Sequence, residues 1–304
     1  YGKRVESGAF ENESLFFDWH EAPVTLSDDE LKRDPIKYGK MANPAWGHTV
    51  GEEEFIADLQ SCDTPSALRT FKMYRLNIWQ QSSNPLLQAH DWKNCQRNDV
   101  TWEYLETLPC WAGMDLSRTK DLTSICLCFR DHDGTLHFRW WFWMPEDTAK
   151  QRASVAPFID WANDDLAQLT LTDGNWIDYD YVWKTVIEIG NRFQLQKLLY
   201  DKKFADYLIQ RIMVGEQNSD GTWKHKPVDF AIEDCNQGAA TLAEPIEEFE
   251  KLVMYGGMSH DGNPIASWQA SNVTKGRTGL LCKPNGSGDV RTIDGIQAAV
   301  MALA

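Results

Sequence analysis

The sequence predicts an α/β domain whose sheet opens with antiparallel strands and adds parallel ones, preceded by a mostly helical appendage. Three observations predict it. Apolar or alternating runs rich in β-formers follow one another at 111–116, 122–129 and 136–144. The turns Ser117-Arg118-Thr119-Lys120 and Asp131-His132-Asp133-Gly134 separate them, which is the signature of a three-stranded meander. Helical and extended periods then alternate to the end of the chain, the pattern that adds strands in parallel.

Before Pro109 the chain is uneven. Residues 13–19 suit an edge strand, Asp28-Asp29-Glu30 an acidic turn, and Met41 to Gly47 a turn punctuated by Asn43-Pro44 and Gly47. Residues 52–59 and 64–79 read as helices, the second with Pro65 at a favoured first position. After the meander, 146–169 is largely helical with a break at Pro157. Residues 180–193 are helical, with Val182, Val186, Ile187 and Ile189 near one face. A short buried strand, 197–200, ends in Asp201, and 204–213 is helical again. Residues 228–232 suit a strand, and 237–255 a long helix stopped by Gly256-Gly257. A basic, Gly-rich loop spans 275–288, and a last helix runs from about Asp294 to Ala304. The expected domains are 1–108 and 109–304.

Bulk properties bound the function. The 304 residues carry a formal net charge of −15, which disfavours passive nucleic-acid binding. A metal-ion nuclease remains compatible with it, because bound cations reverse the sign around a carboxylate centre. Fourteen tryptophans promise an aromatic core. The seven cysteines form no CxxC pair, which argues against a zinc knuckle or a disulfide framework; Cys126 and Cys128 read as buried strand residues in a reducing cytoplasm. No apolar stretch reaches the roughly 18 residues of a membrane span. Tyr1 to Val5 lack a signal-peptide pattern, and a start without Met suggests a piece of a longer protein.

Three aspartates stand where chemistry is concentrated. Asp115 lies in the apolar run Gly113-Met114-Asp115-Leu116, although Asp is depleted in strands and costly to bury. It is either a strand-end cap or a metal ligand at the centre of a sheet. Asp201 closes Leu198-Leu199-Tyr200, at the strand end where open α/β sheets place their sites, or caps the next helix. Asp294 opens the last helix; an N-cap role would explain it alone. The small residues Gly295, Ala298 and Ala299 would also let that helix approach the sheet and bring Asp294 over the other two.

The string Gly113-Met114-Asp115-Leu116-Ser117-Arg118-Thr119-Lys120-Asp121-Leu122-Thr123-Ser124 resembles the first nuclease motif of phage terminase large subunits. Trp143 to Thr148, Thr172 to Asp180, Tyr200-Asp201, His260 to Trp268 with Asn272, and Ile293-Asp294-Gly295 with Ala298 follow in family order. Ala42-Asn43-Pro44 with Gly47, and Leu76 to Trp79, are similar to the segment joining that family's ATPase and nuclease. The resemblance implies a ribonuclease H-like nuclease domain at 109–304 and, at 1–108, the tail of the ATPase and the linker, the ATPase tail ending at about Asp34. No GxxxxGK[ST] string occurs, so the motor and its nucleotide are expected to be absent from this chain.

By resemblance, Asp115, Asp201 and Asp294 are the acidic triad. They are expected to hold two Mg²⁺ or Mn²⁺ ions about 3.5–4 Å apart for phosphodiester hydrolysis, with Asp115 bridging. Asp121 and His260 are possible accessory groups, each with a structural alternative; Asn272 reads as structural. Lys202, Lys203, Lys275, Arg277, Lys283 and Arg291 are candidate DNA contacts or simply a solvated basic surface, with Lys224 to Lys226 weaker. Expected partners are double-stranded DNA, the small terminase subunit and the portal, in the cytoplasm of a bacterial host and away from membranes. Two alternatives differ from this reading: another ribonuclease H-like enzyme of transposase or resolvase type, and a catalytically silent docking module.

Overall fold

The computed structural model describes residues 18–62, 65–78, 85–117, 121–202, 205–276, 278–284, 286 and 288–304. The edge strand expected at 13–19 lies almost wholly outside them. The chain forms two compact units that divide between Ser83 and Asn84.

The smaller unit is helical: α1 (Asp28–Arg33), α2 (Pro35–Ala42), α3 (Glu52–Gln60) and α4 (Pro65–Arg75). The acidic stretch at 28–30 is not a turn but the first turn of α1. Ser27 and Glu30 exchange hydrogen bonds there as a capping box, a Ser-x-x-Glu signal present in the sequence. Phe55, Phe71, Leu31 and Leu76 fill the core between these helices.

The larger unit begins with α5 (Ala89–Asn94) and α6 (Trp102–Leu105). The boundary expected at Leu108 therefore falls differently from the compact division. Residues 85–108 cohere with the larger unit because Trp92 and Cys95 are buried in its core, and Leu105 and Leu108 in the layer behind the sheet.

The meander is β1 (Pro109–Asp115), β2 (Thr123–Arg130) and β3 (Leu136–Pro145), paired antiparallel. After it come α7 (Glu146–Gln151), α8 (Phe158–Trp161), β4 (Leu169–Thr172), α9 (Tyr179–Arg192), β5 (Gln194–Tyr200) and α10 (Asp206–Val214). The hairpin β6 (Glu216–Gln217) and β7 (Trp223–His225) precedes β8 (Ala231–Asp234) and α11 (Ala239–Tyr255). The chain then forms β9 (Met258–His260), α12 (Pro264–Asn272), a small β10 (Thr274–Lys275) and β11 (Leu281–Cys282) ladder, and α13 (Asp294–Leu303).

The main sheet runs β4-β3-β2-β1-β5-β8, with β9 also on β3. Strands β5 and β8 add parallel to β1 in succession. Strands β4 and β9 share the outer edge of β3, β9 along its first half and β4 along its second. The expected helix over 146–169 is instead two short helices ending in β4, and β9 carries the segment around His260. Both strands are too short for a periodicity to declare them.

Strand alternation sends Cys110, Ala112 and Met114 to the face covered by α9 and α10. Cys126, Cys128, Phe138 and Trp140 go to the face covered by α11, α12 and α13. All seven cysteines are in the thiol form. Among the described residues, no helix is long and apolar enough to cross a membrane.

Candidate metal centre

Helix α13 lies on β1 and β2, and the sequence allows it to come close. A Cβ on Gly113 would stand 2.0 Å from the Ala298 carbonyl oxygen and 2.6 Å from the Ala302 nitrogen. A Cβ on Gly295 would meet Gln269 Oε1 at 2.4 Å and the Phe142 ring at 2.7 Å. Gly295, Ala298 and Ala299 are buried, as the small-residue run suggested. Polar bonds fix the start of α13: Gly295 N–H donates to Gln269 Oε1 (2.7 Å), Gln269 Nε2 donates to Thr292 Oγ1 (2.8 Å), and Trp140 Nε1 donates to the Gly295 carbonyl (2.9 Å).

This arrangement puts Asp294 over the end of the sheet where Asp115 and Asp201 sit. Asp115 closes β1 opposite Ser124. Met114 and Tyr200 are register partners in the parallel β1–β5 pair, and Asp201 N–H donates to the Met114 carbonyl at 3.3 Å. The first two aspartates thus stand side by side at adjacent strand ends. The third reaches them from a helix 179 residues later in sequence (294 minus 115).

The electrostatics are those of carboxylates forced together. Burial, then the Asp294 charge, hold the Asp115 carboxyl well above the ordinary carboxylate range; Asp201 and Asp121 add to the rise, and a hydrogen bond from Gln237 opposes it. Burial, then Asp121, push Asp294 up to about 7, against the pull of Lys283. Gln237 Nε2 donates to Asp115 Oδ1 (3.3 Å) and also approaches Met301 Sδ (3.8 Å). Gln237 was not singled out from the sequence, and a lone Gln in a loop after a strand carries no local signal of such a role.

Among the described residues, no three His, Cys, Asp or Glu side chains are drawn together tightly enough to cage a metal ion as they stand. The chemistry of the place nonetheless fits a hard divalent cation. The donors are carboxylate oxygens, the type Mg²⁺ and Mn²⁺ prefer. Asp294 Oδ2, Ser124 Oγ and Gln297 Nε2 are buried without a hydrogen-bond partner. One belongs to an aspartate, one to the residue opposite Asp115, and one to the next turn of α13. The two oxygens can face a cation, whereas the Gln297 amide nitrogen is a donor and calls for an acceptor.

The remaining candidates separate. Asp121 joins the cluster electrostatically, but its carboxylate takes Lys283 Nζ at 3.0 Å and Arg152 Nη1 at 3.7 Å. His260 is not brought to the site. It pairs with Phe138, four residues back along β3 from the Phe142 level that lines up with Asp115, roughly 13 Å away at strand rise. Both its ring nitrogens are engaged: Nε2 with the Trp92 carbonyl at 2.9 Å, and Nδ1 with Gly262 N–H at 3.0 Å. The ring stacks on Trp92 at 4.3 Å, which makes it a structural histidine. Asn272 is buried in α12.

The expected DNA-contacting cations are mostly engaged by carboxylates. Lys275 meets Glu250 (3.4 Å), Lys283 meets Asp121, and Arg291 Nε meets Asp289 Oδ1 (3.0 Å). The sequence placed only Asp289 against this loop; Glu250 arrives from α11 and Asp121 from the turn after β1. Lys202 is exposed beside Asp201. Lys203 and Arg277 lie outside the described residues.

An antiparallel meander extended by parallel strands, with aspartates gathered at one end under a closely applied helix, defines a ribonuclease H-like nuclease domain. The chain belongs to the family described as terminase large subunit, endonuclease domain, whose model matches residues 14–304. It is 28% identical, over a 330-residue alignment, to Protein YmfN of Escherichia coli (strain K12), covering 100% of this chain and 66% of that protein. To the terminase large subunit of Enterobacteria phage HK97 it is 26% identical over 270 residues, covering 86% of this chain and 49% of that protein. The crystal structure of the HK97 bacteriophage large terminase superposes with a TM-score of 0.57 at 23% identity, covering 99% of this chain and 58% of that one. That likeness shows a shared fold. The chain spans between about half and two thirds of the length of these relatives.

Proposed function

We propose that this chain is a divalent-metal-dependent DNA endonuclease that cuts concatemeric double-stranded DNA during phage genome packaging. The observation that carries the reading is the convergence of Asp115, Asp201 and Asp294 at one end of the sheet, with the buried oxygens Asp294 Oδ2 and Ser124 Oγ left unpaired. These three aspartates would hold Mg²⁺ or Mn²⁺, two ions in the fullest form of the reading. When bound, such ions supply an activated water and neutralise the departing alkoxide.

The chain's own residues do the rest. Asp115, at the end of β1 and hydrogen-bonded by Gln237, would be one of the carboxylates that hold the ions. Asp294 is fixed by the rigid start of α13, so that closing the site costs little reorganisation. Lys202, exposed beside Asp201, is placed to meet a phosphate, a contact that positions DNA without reading its bases. The small terminase subunit and the portal are the protein partners that this reading implies.

Plasmid nicking and linearisation with Mg²⁺, Mn²⁺ or EDTA, run beside Asp115→Asn, tests the proposal. Metal-dependent cutting that vanishes in the variant is expected. Cutting by the variant at the wild-type rate would remove Asp115 from the centre.

A further inference from the structure

Three charged side chains from three separate segments meet at the rim of the carboxylate cluster. Asp121 comes from the turn between β1 and β2, Arg152 from the end of α7, and Lys283 from just after β11. Lys283 Nζ donates to Asp121 Oδ1 at 3.0 Å, and Arg152 Nη1 stands 3.7 Å from the same oxygen. Both cations are anchored further: Lys283 Nζ lies 3.5 Å from the Asp289 carbonyl oxygen, and Arg152 Nη1 donates to the Val290 carbonyl at 3.2 Å. Their side chains are only 15% and 17% exposed, so they are held rather than waving in solvent.

Two cations converge on one carboxylate oxygen beside the acidic cluster, where Lys283 also acts on Asp294. A structural ion pair needs one cation. A second cation converging on the same oxygen matches what a phosphate requires, since phosphate offers several acceptor oxygens to a lysine and an arginine at once.

We propose that Lys283 and Arg152 form a clamp for a DNA phosphate next to the cleaved bond, with Asp121 as the internal stand-in that phosphate displaces. The proposal rests on the nuclease reading and deepens it by naming the backbone contacts at the site's rim. Lys202 by itself would give a contact without such pre-positioning.

The test measures duplex binding in EDTA across a salt series, by fluorescence anisotropy, together with metal-dependent cutting. The proteins are the whole chain and its variants Lys283→Gln, Arg152→Gln, Lys283→Arg and Asp121→Asn. Each neutralised cation should lower the slope of log affinity against log salt by about 1 and weaken binding several-fold. Lys283→Arg should retain the slope, which separates lost charge from a damaged fold. Asp121→Asn should bind DNA more tightly. Unchanged slopes in Lys283→Gln and Arg152→Gln, with wild-type cutting intact, would overturn the clamp and leave the nuclease standing. Binding by Asp121→Asn no tighter than wild type would overturn it too. Slopes that fall as expected in a protein that never cuts would support the clamp and sink the nuclease reading. No salt-dependent binding by the wild-type chain would overturn both.

Discussion

At the scale of single residues, Gly113 and Asp294 are one design seen from two sides. Asp294 can reach the sheet because Gly113 offers α13 no side chain to climb over. Gly113→Ala would drive a methyl group into backbone atoms of α13, which cannot rotate away as a side-chain tip can. The expected cost is about 3 kcal/mol, at the upper end for overpacking. Metal-dependent activity should fall further than stability alone explains, because the helix carrying Asp294 must lift. Urea unfolding and a cutting assay on the same preparation check this; an unchanged midpoint would show that the helix has room. The glycine before Asp115 was legible as part of a motif, but its job was not. A sequence names a small residue without saying which helix, almost two hundred positions away, will lie on it.

At the scale of elements, the meander was read from the sequence nearly to the residue, since seven- to ten-residue strands leave an alternation that can be counted. Strand β9 left none, and His260 on it was read from the family pattern as a possible accessory group with a structural role as the alternative. In the fold β9 inserts His260 against Trp92, and burial holds its pKa down to about 4. The unfolded chain protonates this group near pH 6.5 while the folded chain does so only near 4. The neutral form is thus favoured by folding, and its contribution is complete above pH 6.5. Stability should fall as pH drops from 6.5 towards 4, by at most about 3 kcal/mol from this group. His260→Gln should be less stable at pH 7, through its lost contacts, yet show a shallower decline between pH 6.5 and 4. Chemical denaturation at stepped pH reads this directly; a parallel decline in both proteins would rule out His260 as its source. The capping box of α1 is the opposite case, a four-residue signal that was present in the sequence and was read as a turn.

At the scale of the whole molecule, the aspartate cluster sets stability against function. Asp115 and Asp294 both have folded pKa values raised above the unfolded value of 3.8, so folding favours their protonated forms. Their contribution is complete below pH 3.8 and is lost as pH rises through the folded value, about 7 for Asp294. Near pH 8 the charged cluster should weaken the fold, and a divalent cation should restore it. Adding Mg²⁺ or Mn²⁺ at a hundredfold excess over its Kd would contribute roughly 2.7 kcal/mol. For a chain of this size that is a rise in Tm of about 4 °C. Asp294→Asn should melt higher than wild type without metal at pH 8 and respond far less to its addition. Equal metal responses in the two proteins would place the cation elsewhere. The N-terminal unit adds a lesson in legibility. Its helices α3 and α4 were predictable from pattern, α1 was read as a turn and α2 was not foreseen, while the division at Ser83 followed contacts made by Trp92 and Cys95 with segments distant in sequence.

The order in which the aspartates appear along the chain has a consequence for synthesis. Asp115 and Asp201 lie on neighbouring strands that can pair once residue 201 has emerged from a ribosome, while Asp294 waits for α13. Without α13, Gly113 and the face of the sheet around it have no cover, and the acidic pair has no third member. If the three aspartates form the cutting centre, a growing chain cannot damage nearby DNA during its own translation. Docking of α13 would then cap the sheet and arm the enzyme in one event.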